Sequence, residues 1–385
     1  MKRINTNNNQ QAFFELVMAG LFPVNGSRFT VNGSVDWNVV YQMAEEQSVV
    51  GLVAAGMENL NDNHNVNIPQ EWALQFIGAT LQIEQRNKEM NVFVADLISK
   101  MRKVGIYTLL VKGQGIAQCY EKPTWRACGD VDLFLSDDNY EKAKAFLIPL
   151  ASSVEEEYVR EKHLGMTIDG FVVELHGRLY SGLSSRIERE LDKVYKDTFY
   201  SGAVRSWNDN GVQVFLLKEE NDVFYVFTHI LQHFYKEGVG LRQICDWCRL
   251  LYTYKDSLNY GLLEQRIKSA GLVSEWKAFG ALAIEYLGFP KDSMPLLDVR
   301  SKKEDVRWRK KADRIMEFIL KSGNMGHNRD MSHFSKYPYL IRKCVSMGRR
   351  IGDLINHARI FPLDSLLFSF SIMKNGLMSA VRGEG

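Results

Sequence analysis

Apolar residues recur at helical spacing from residue 10 to 104, gather into short strand-like runs near residue 106, and return to helical spacing beyond about residue 186. In the first region "DWNVVYQMAEEQSVVGLVAAGMENL" opens on Asp36, a residue type suited to capping a helix start. "NDNHNVNIPQ" (61–70) reads as a loop, and "EWALQFIGATLQIEQRNKEMNVFVADLISKMRKVG" as a long helix or pair of helices. The middle region has a different pattern. "IYTLLVKG" (106–113) is a short apolar run ended by glycine, as a buried strand requires. "QGIAQCYEK" suits a short helix broken by Pro123, "DVDLFLS" a second strand, and "NYEKAKAFLIPL" another helix. "HLGMTIDGFVVELHGRL" predicts a hairpin turning at Asp169-Gly170, with alternation in "FVVELH". The expected architecture is α+β: a small mixed β-sheet core at 105–185, between an N-terminal helical region (1–104) and a larger C-terminal helical region (186–385). No repeat or low-complexity linker separates the three.

At 385 residues, 45% apolar and 24% charged, the chain has the composition of a globular protein able to bury a substantial core. A formal net charge of +2 gives no case for a nucleic-acid partner, whose binding rests on phosphate contacts. No apolar run approaches the roughly 20 residues that span a bilayer. The start, "MKRINTNNNQQAFFELVMAG", has a polar tract, an interrupting Glu15 and no small-residue cleavage site, which argues against a signal peptide. Five cysteines (119, 128, 245, 248, 344) are few and odd in number, which suits a reducing compartment, so the expected location is cytoplasmic. Cys245 and Cys248 alone have motif-like spacing, in "ICDWC". They read as small core residues, against the alternatives of a zinc site shared with His229 and His233 or a redox pair.

The chemistry concentrates in "RACGDVDLFLS" (126–136). Residues two apart on a strand share a face, so Asp130 and Asp132 place two carboxylates side by side at the edge of a core. Like charges about 6 Å apart repel by about 3 kcal/mol at an effective dielectric near 20. A divalent cation turns that cost into a binding site, and hard oxygen ligands select Mg²⁺ or Mn²⁺. Glu174 in "VVELHG" is placed to add a third carboxylate, since Val173 and Leu175 then face the other way. The plain alternative is a solvated strand edge or a cap. The preceding "LLVKGQGIA" puts Gly113 between a strand and a helix, where backbone N–H groups can approach a phosphate, while Lys112 and Arg126 add cations and Gly129 precedes the acids.

The order strand, Lys-Gly, helix, Arg, Gly-Asp-x-Asp strand, helix, hairpin with an acid resembles the nucleotidyltransferase fold of the DNA polymerase β superfamily. More closely, "LLVKGQGIAQCYEKPTWRACGDVDLFL" and "VELHGRL" resemble the family of uncharacterised nucleotidyltransferases. The wider superfamily holds the triphosphate with a Gly-Ser pair, where this chain has Lys112-Gly113. The resemblance implies that Asp130, Asp132 and Glu174 bind Mg²⁺ or Mn²⁺ and carry the catalysis, with Glu174 a candidate base. It further implies an NTP substrate, with ATP expected, an NMP transferred to an acceptor hydroxyl, and pyrophosphate released. Lys112, Gly113, Arg126 and Gly129 would contact the nucleotide. His176 reads either as a paired histidine beneath the site or as a substrate contact.

In "FTHILQHFYKEGVGLRQICDW" (227–247), His229 and His233 lie one turn apart, as do Arg242 and Asp246. They read either as a polar helix pair tied by an Arg242–Asp246 salt bridge, or as groups closing over nucleotide and acceptor. Residues 331–352 carry five Lys/Arg and no acid, which fits a solvated face or a phosphate or membrane contact. "FPLDSLLFSFSIMK" is expected to dock on the core. An enzyme acting on a small molecule or a protein side chain and a non-catalytic nucleotide-binding or interaction protein both remain open, with transfer to RNA a weaker third.

Overall fold

Period-two alternation in the middle of the chain is realised as a seven-stranded mixed sheet. The computed structural model describes residues 7–23, 30–31, 33–61, 68–297, 301–324 and 352–382. The strands are β1 (Leu109–Val111), β2 (Asp130–Phe134), β3 (Ser153–Val154), β4 (His163–Ile168), β5 (Phe171–His176), β6 (Val204–Asp209) and β7 (Val212–Leu217), in the spatial order β3-β4-β5-β2-β1-β7-β6. β2 runs parallel to β5 and antiparallel to β1, while β1 runs parallel to β7.

The expected hairpin forms, with Asp169 and Gly170 both at positive φ (49° and 79°) in the two-residue turn joining β4 to β5. One expectation fails. Residues 204–217 lie in the stretch read as helical, yet they form the β6–β7 hairpin and extend the sheet beyond β1. The reason is local: "VRSWNDNGVQVFLL" places Asn210 and Gly211 at positive φ (48° and 79°) between two extended runs, an Asn-Gly turn that closes antiparallel strands.

Helices flank the sheet, among them α6 (Asp137–Leu147), α7 (Ser185–Phe199) and α10 (Tyr260–Ala270). The N-terminal region comprises α1 (Asn8–Leu21), α2 (Trp37–Glu46), α3 (Val50–Asn61) and the 34-residue α4 (Gln70–Lys103). The Asp36 carboxylate caps α2 as expected, accepting from the Asn38 and Val39 amides. Between α2 and α3 the chain breaks at Ser48, whose φ is 56°, so the single helical pattern becomes two helices. Phe93, Val94, Leu97 and Ile98 of α4 pack on the sheet face formed by Val131, Leu133, Val173 and Leu175. Against the opposite face lie α5 (Gly113–Ala117), α8 (Glu219–Lys236) and α9 (Leu241–Thr253), which bury Phe134, Phe224, Phe227 and Trp247 in a larger core. The C-terminal helix Pro362–Arg382 docks through Phe368, whose ring lies 4.9 Å from that of Tyr235 on α8. On its other side Leu363, Leu367 and Phe370 stay exposed. Among the described residues no helix is long and apolar enough to cross a membrane. Cys344 lies outside the described residues, as does the basic stretch 331–352 apart from Gly352.

Candidate metal and nucleotide site

Alternation decides which side chains meet. On β2, Val131 and Leu133 face α4 and are buried, so Asp130 and Asp132 face the other way. On β5, Val173 and Leu175 face α4, which turns Glu174 and His176 to the aspartate side. Parallel register sets Asp132 directly beside Glu174, and antiparallel register sets His163 of β4 opposite His176. Carboxylate oxygens of Asp130, Asp132 and Glu174 all lie within 4.8 Å of one another. The three acids are therefore brought together as the sequence predicts.

Their charges are compensated unequally. Asp132 is almost wholly buried, and its Oδ1 accepts from Lys112 Nζ at 2.6 Å and from His176 Nε2 at 2.7 Å. Its Oδ2 is buried with no hydrogen-bond partner. Asp130 keeps its proton to higher pH than a free aspartate, chiefly because of the Asp132 charge and then burial, with Lys112 opposing both. Burial would raise the Glu174 carboxyl as well, but hydrogen bonds from His163 and His176 and the Lys112 charge hold it well below the usual carboxylate range. Burial lowers His176, yet its hydrogen bonds to Asp132 and Glu174 win and raise it. Lys112 stays charged: burial opposes its ammonium, and the charges around it, Asp132 first and then Tyr225, Asp130 and Glu174, together more than offset that. Its backbone sits at φ 57°, a conformation that costs a non-glycine residue about 1–3 kcal/mol.

Beside the aspartates opens a cleft of about 280 Å³, lined by Lys112, Gly129, Asp130, Asp132, His229 and Arg242 among others. Gly113 begins α5 at φ 39°, next to Asp130. That helix has five residues, too few for an appreciable dipole, so the Lys-Gly turn offers backbone amides rather than a helix end. His229 and His233 are joined Nε2 to Nε2 at 3.0 Å. Burial, then the charges of Lys112, His233 and His176, pushes His229 well below the ordinary histidine range, so it is neutral at physiological pH.

Two expected roles change. Arg126 and Asp246 form a buried bidentate ion pair, Nε to Oδ1 at 2.9 Å and Nη2 to Oδ2 at 2.6 Å, and Tyr120 Oη donates to the same Oδ1 at 2.8 Å. Arg126 is thereby engaged within the fold instead of projecting toward a nucleotide. The Arg242–Asp246 salt bridge does not form, because Arg126 fits both carboxylate oxygens with its planar fork. Arg242 instead donates from Nη1 to Ala127 O at 2.6 Å, and its Nε is buried without a partner. Cys245 and Cys248 are fully buried in the core, and among the described residues neither joins a cluster of metal-ligating groups.

His163 is the residue that sequence reasoning missed. The signal was present: a two-residue turn at Asp169-Gly170 fixes the register of the hairpin, and counting back from it pairs His163 with His176.

The model of the uncharacterised nucleotidyltransferase family matches residues 33–288. The chain belongs to this family. The match covers the whole sheet, the acidic cluster and the helices that border the cleft. A crystal structure of an antigenic nucleotidyltransferase-like protein from Paracoccidioides brasiliensis aligns over 49% of this chain and 88% of that one, at 16% identity and a TM-score of 0.31, a likeness too loose to carry function. No functionally curated protein matches.

Proposed function

We propose that the protein is a metal-dependent nucleotidyltransferase that moves an NMP from an NTP, with ATP the expected donor, to a hydroxyl of a small molecule or protein side chain. The observation that carries this reading is the convergence of three carboxylates within 4.8 Å on adjacent strands, in a chain of a nucleotidyltransferase family. The orphaned buried Oδ2 of Asp132 fits the role, being an acceptor that a hard cation can satisfy. Asp130, Asp132 and Glu174 would hold Mg²⁺ or Mn²⁺, which when bound supplies charge neutralisation to the triphosphate and the departing pyrophosphate.

The chain's own residues do the rest. Arg242 and Lys112 line the cleft beside the aspartates and offer cations to phosphate oxygens. The acceptor oxygen bonds to the α-phosphorus as the bridge to the β-phosphate breaks, and the acceptor proton passes to a carboxylate. Glu174 is the candidate acceptor of that proton, and Asp130 stands beside it in the same cluster. Neutral His229 can orient the acceptor hydroxyl from the cleft wall.

One observation favours a second reading, a nucleotide-binding or interaction protein without chemistry. Lys112 and His176 both rest on Asp132 Oδ1, so the fold carries that buried carboxylate without a metal ion. Incubation with α-labelled NTPs, Mg²⁺ and a metabolite or lysate pool decides between them. Transfer of label with pyrophosphate release, lost in Asp130→Asn, is the expected result. Nucleotide binding without pyrophosphate release from any NTP would establish the second reading.

A further inference from the structure

The metal-ligating groups on β4 and β5 extend past the acidic cluster. His163 Nε2 lies 3.2 Å from Glu174 Oε2, and His176 Nε2 lies 3.4 Å from the same oxygen. All three donor atoms fall within 4.8 Å of one another. Ligands bonded at about 2.0–2.2 Å to a tetrahedral cation stand roughly 3.3–3.5 Å apart, so these two spacings match edges of such a site. The two imidazoles are tilted, with centroids 4.8 Å apart and planes at 31°, and Tyr158 stacks on the ring of His163 at 5.9 Å. The side chains of His163 and Glu174 are about a quarter exposed, at 24% and 27%, which leaves room for water as a further ligand. None of the three residues lines the cleft that Asp130, Lys112 and Arg242 share.

We propose that His163, His176 and Glu174 form a second cation site, a two-histidine, one-carboxylate set suited to Zn²⁺ and related borderline ions rather than to Mg²⁺. The donor chemistry supplies the selectivity: imidazole suits Zn²⁺ and Co²⁺, whereas Mg²⁺ demands oxygen ligands. Without a metal, the His176 proton bridges Asp132 and Glu174. A cation bound by His176 Nε2 takes that proton's place, as metal binding to a histidine requires. The site does not depend on the transferase reading. Only Glu174 is common to both sets; Asp130 belongs to the acidic one alone and His163 to the nitrogen one alone.

Co²⁺ titration of the full chain without nucleotide, followed by visible absorption, tests this. One equivalent should bind with the absorption of nitrogen-ligated Co²⁺ and should survive a large excess of Mg²⁺. Asp130→Asn should keep that spectrum, while His163→Gln should weaken Co²⁺ binding by at least about 10-fold, the least that loss of a direct ligand should cost. Wild-type protein that binds no Co²⁺, or a folded His163→Gln that binds it equally well, would overturn the proposal. If His163→Gln fails to fold, pulsed EPR of Cu²⁺-loaded wild-type protein decides, since imidazole suits Cu²⁺. Imidazole nitrogen coupling supports the site, and its absence excludes it.

Discussion

Asp130 and Asp132 share a strand face and a turn-side location, yet they have different partners. Lys112 and His176 hold Asp132, whereas Asp130 faces its neighbour's charge with only distant compensation. The repulsion expected from spacing alone is therefore offset at Asp132 by its own partners and less fully at Asp130. Asp130→Asn should raise the melting temperature of the metal-free protein near neutral pH, because an acid with a raised folded-state pKa costs stability once pH exceeds its ordinary value. Asp132→Asn should lower it, since Lys112 then loses its buried carboxylate. Thermal unfolding of the two single variants checks the pair, and equal shifts would refute this division of roles. Arg126→Ala should cost about 3–5 kcal/mol in urea unfolding, because it leaves Asp246 buried and unpaired. A loss under about 1 kcal/mol, the range of exposed pairs, would mean that this ion pair is not a structural tie.

At the level of elements, the turn between β1 and α5 carries strain, and in the proposed reading it also contacts phosphate. Lys112→Gly removes the ammonium while accommodating the positive φ, so any loss of affinity cannot come from added backbone strain. The expected outcome is a folded protein with NTP affinity reduced by about 10-fold, equivalent to about 1.4 kcal/mol, read by calorimetry. Unchanged affinity would leave Lys112 as the partner of Asp132 alone. Much of this region was legible in the sequence, because period-two alternation alone assigns Asp130, Asp132 and Glu174 to one face. The β6–β7 hairpin was obscured by its neighbours. Fourteen-odd residues with an Asn-Gly turn sit between two strongly helical segments, and the surrounding period dominated the reading. The Arg126–Asp246 pair was not legible at all, since its partners are 120 residues apart and only tertiary packing joins them.

Across the whole molecule, the C-terminal helix closes over α8 and over α11 (Val273–Leu287), where Glu275 is fully buried. Burial, and then the Asp364 carboxylate of the C-terminal helix, pushes Glu275 from 4.5 up to about 8. The folded protein thus retains a proton that the unfolded chain releases near pH 4.5, so this group's contribution to stability falls as pH rises from there to about 8. Glu275→Gln should flatten that decline and raise the melting temperature at pH 8; an unaltered pH profile would show that the carboxyl is not protonated in the fold. The central claim, a cation-dependent nucleotide site at the three carboxylates, is tested most directly by the thermal shift with Mg²⁺ and ATP in wild type and in Asp130→Asn. At ligand about 100-fold above its Kd, wild type should gain about 2.7 kcal/mol of stability, only when both Mg²⁺ and ATP are present, and Asp130→Asn should gain none. An equal shift in the variant, or no shift in wild type, would contradict the account.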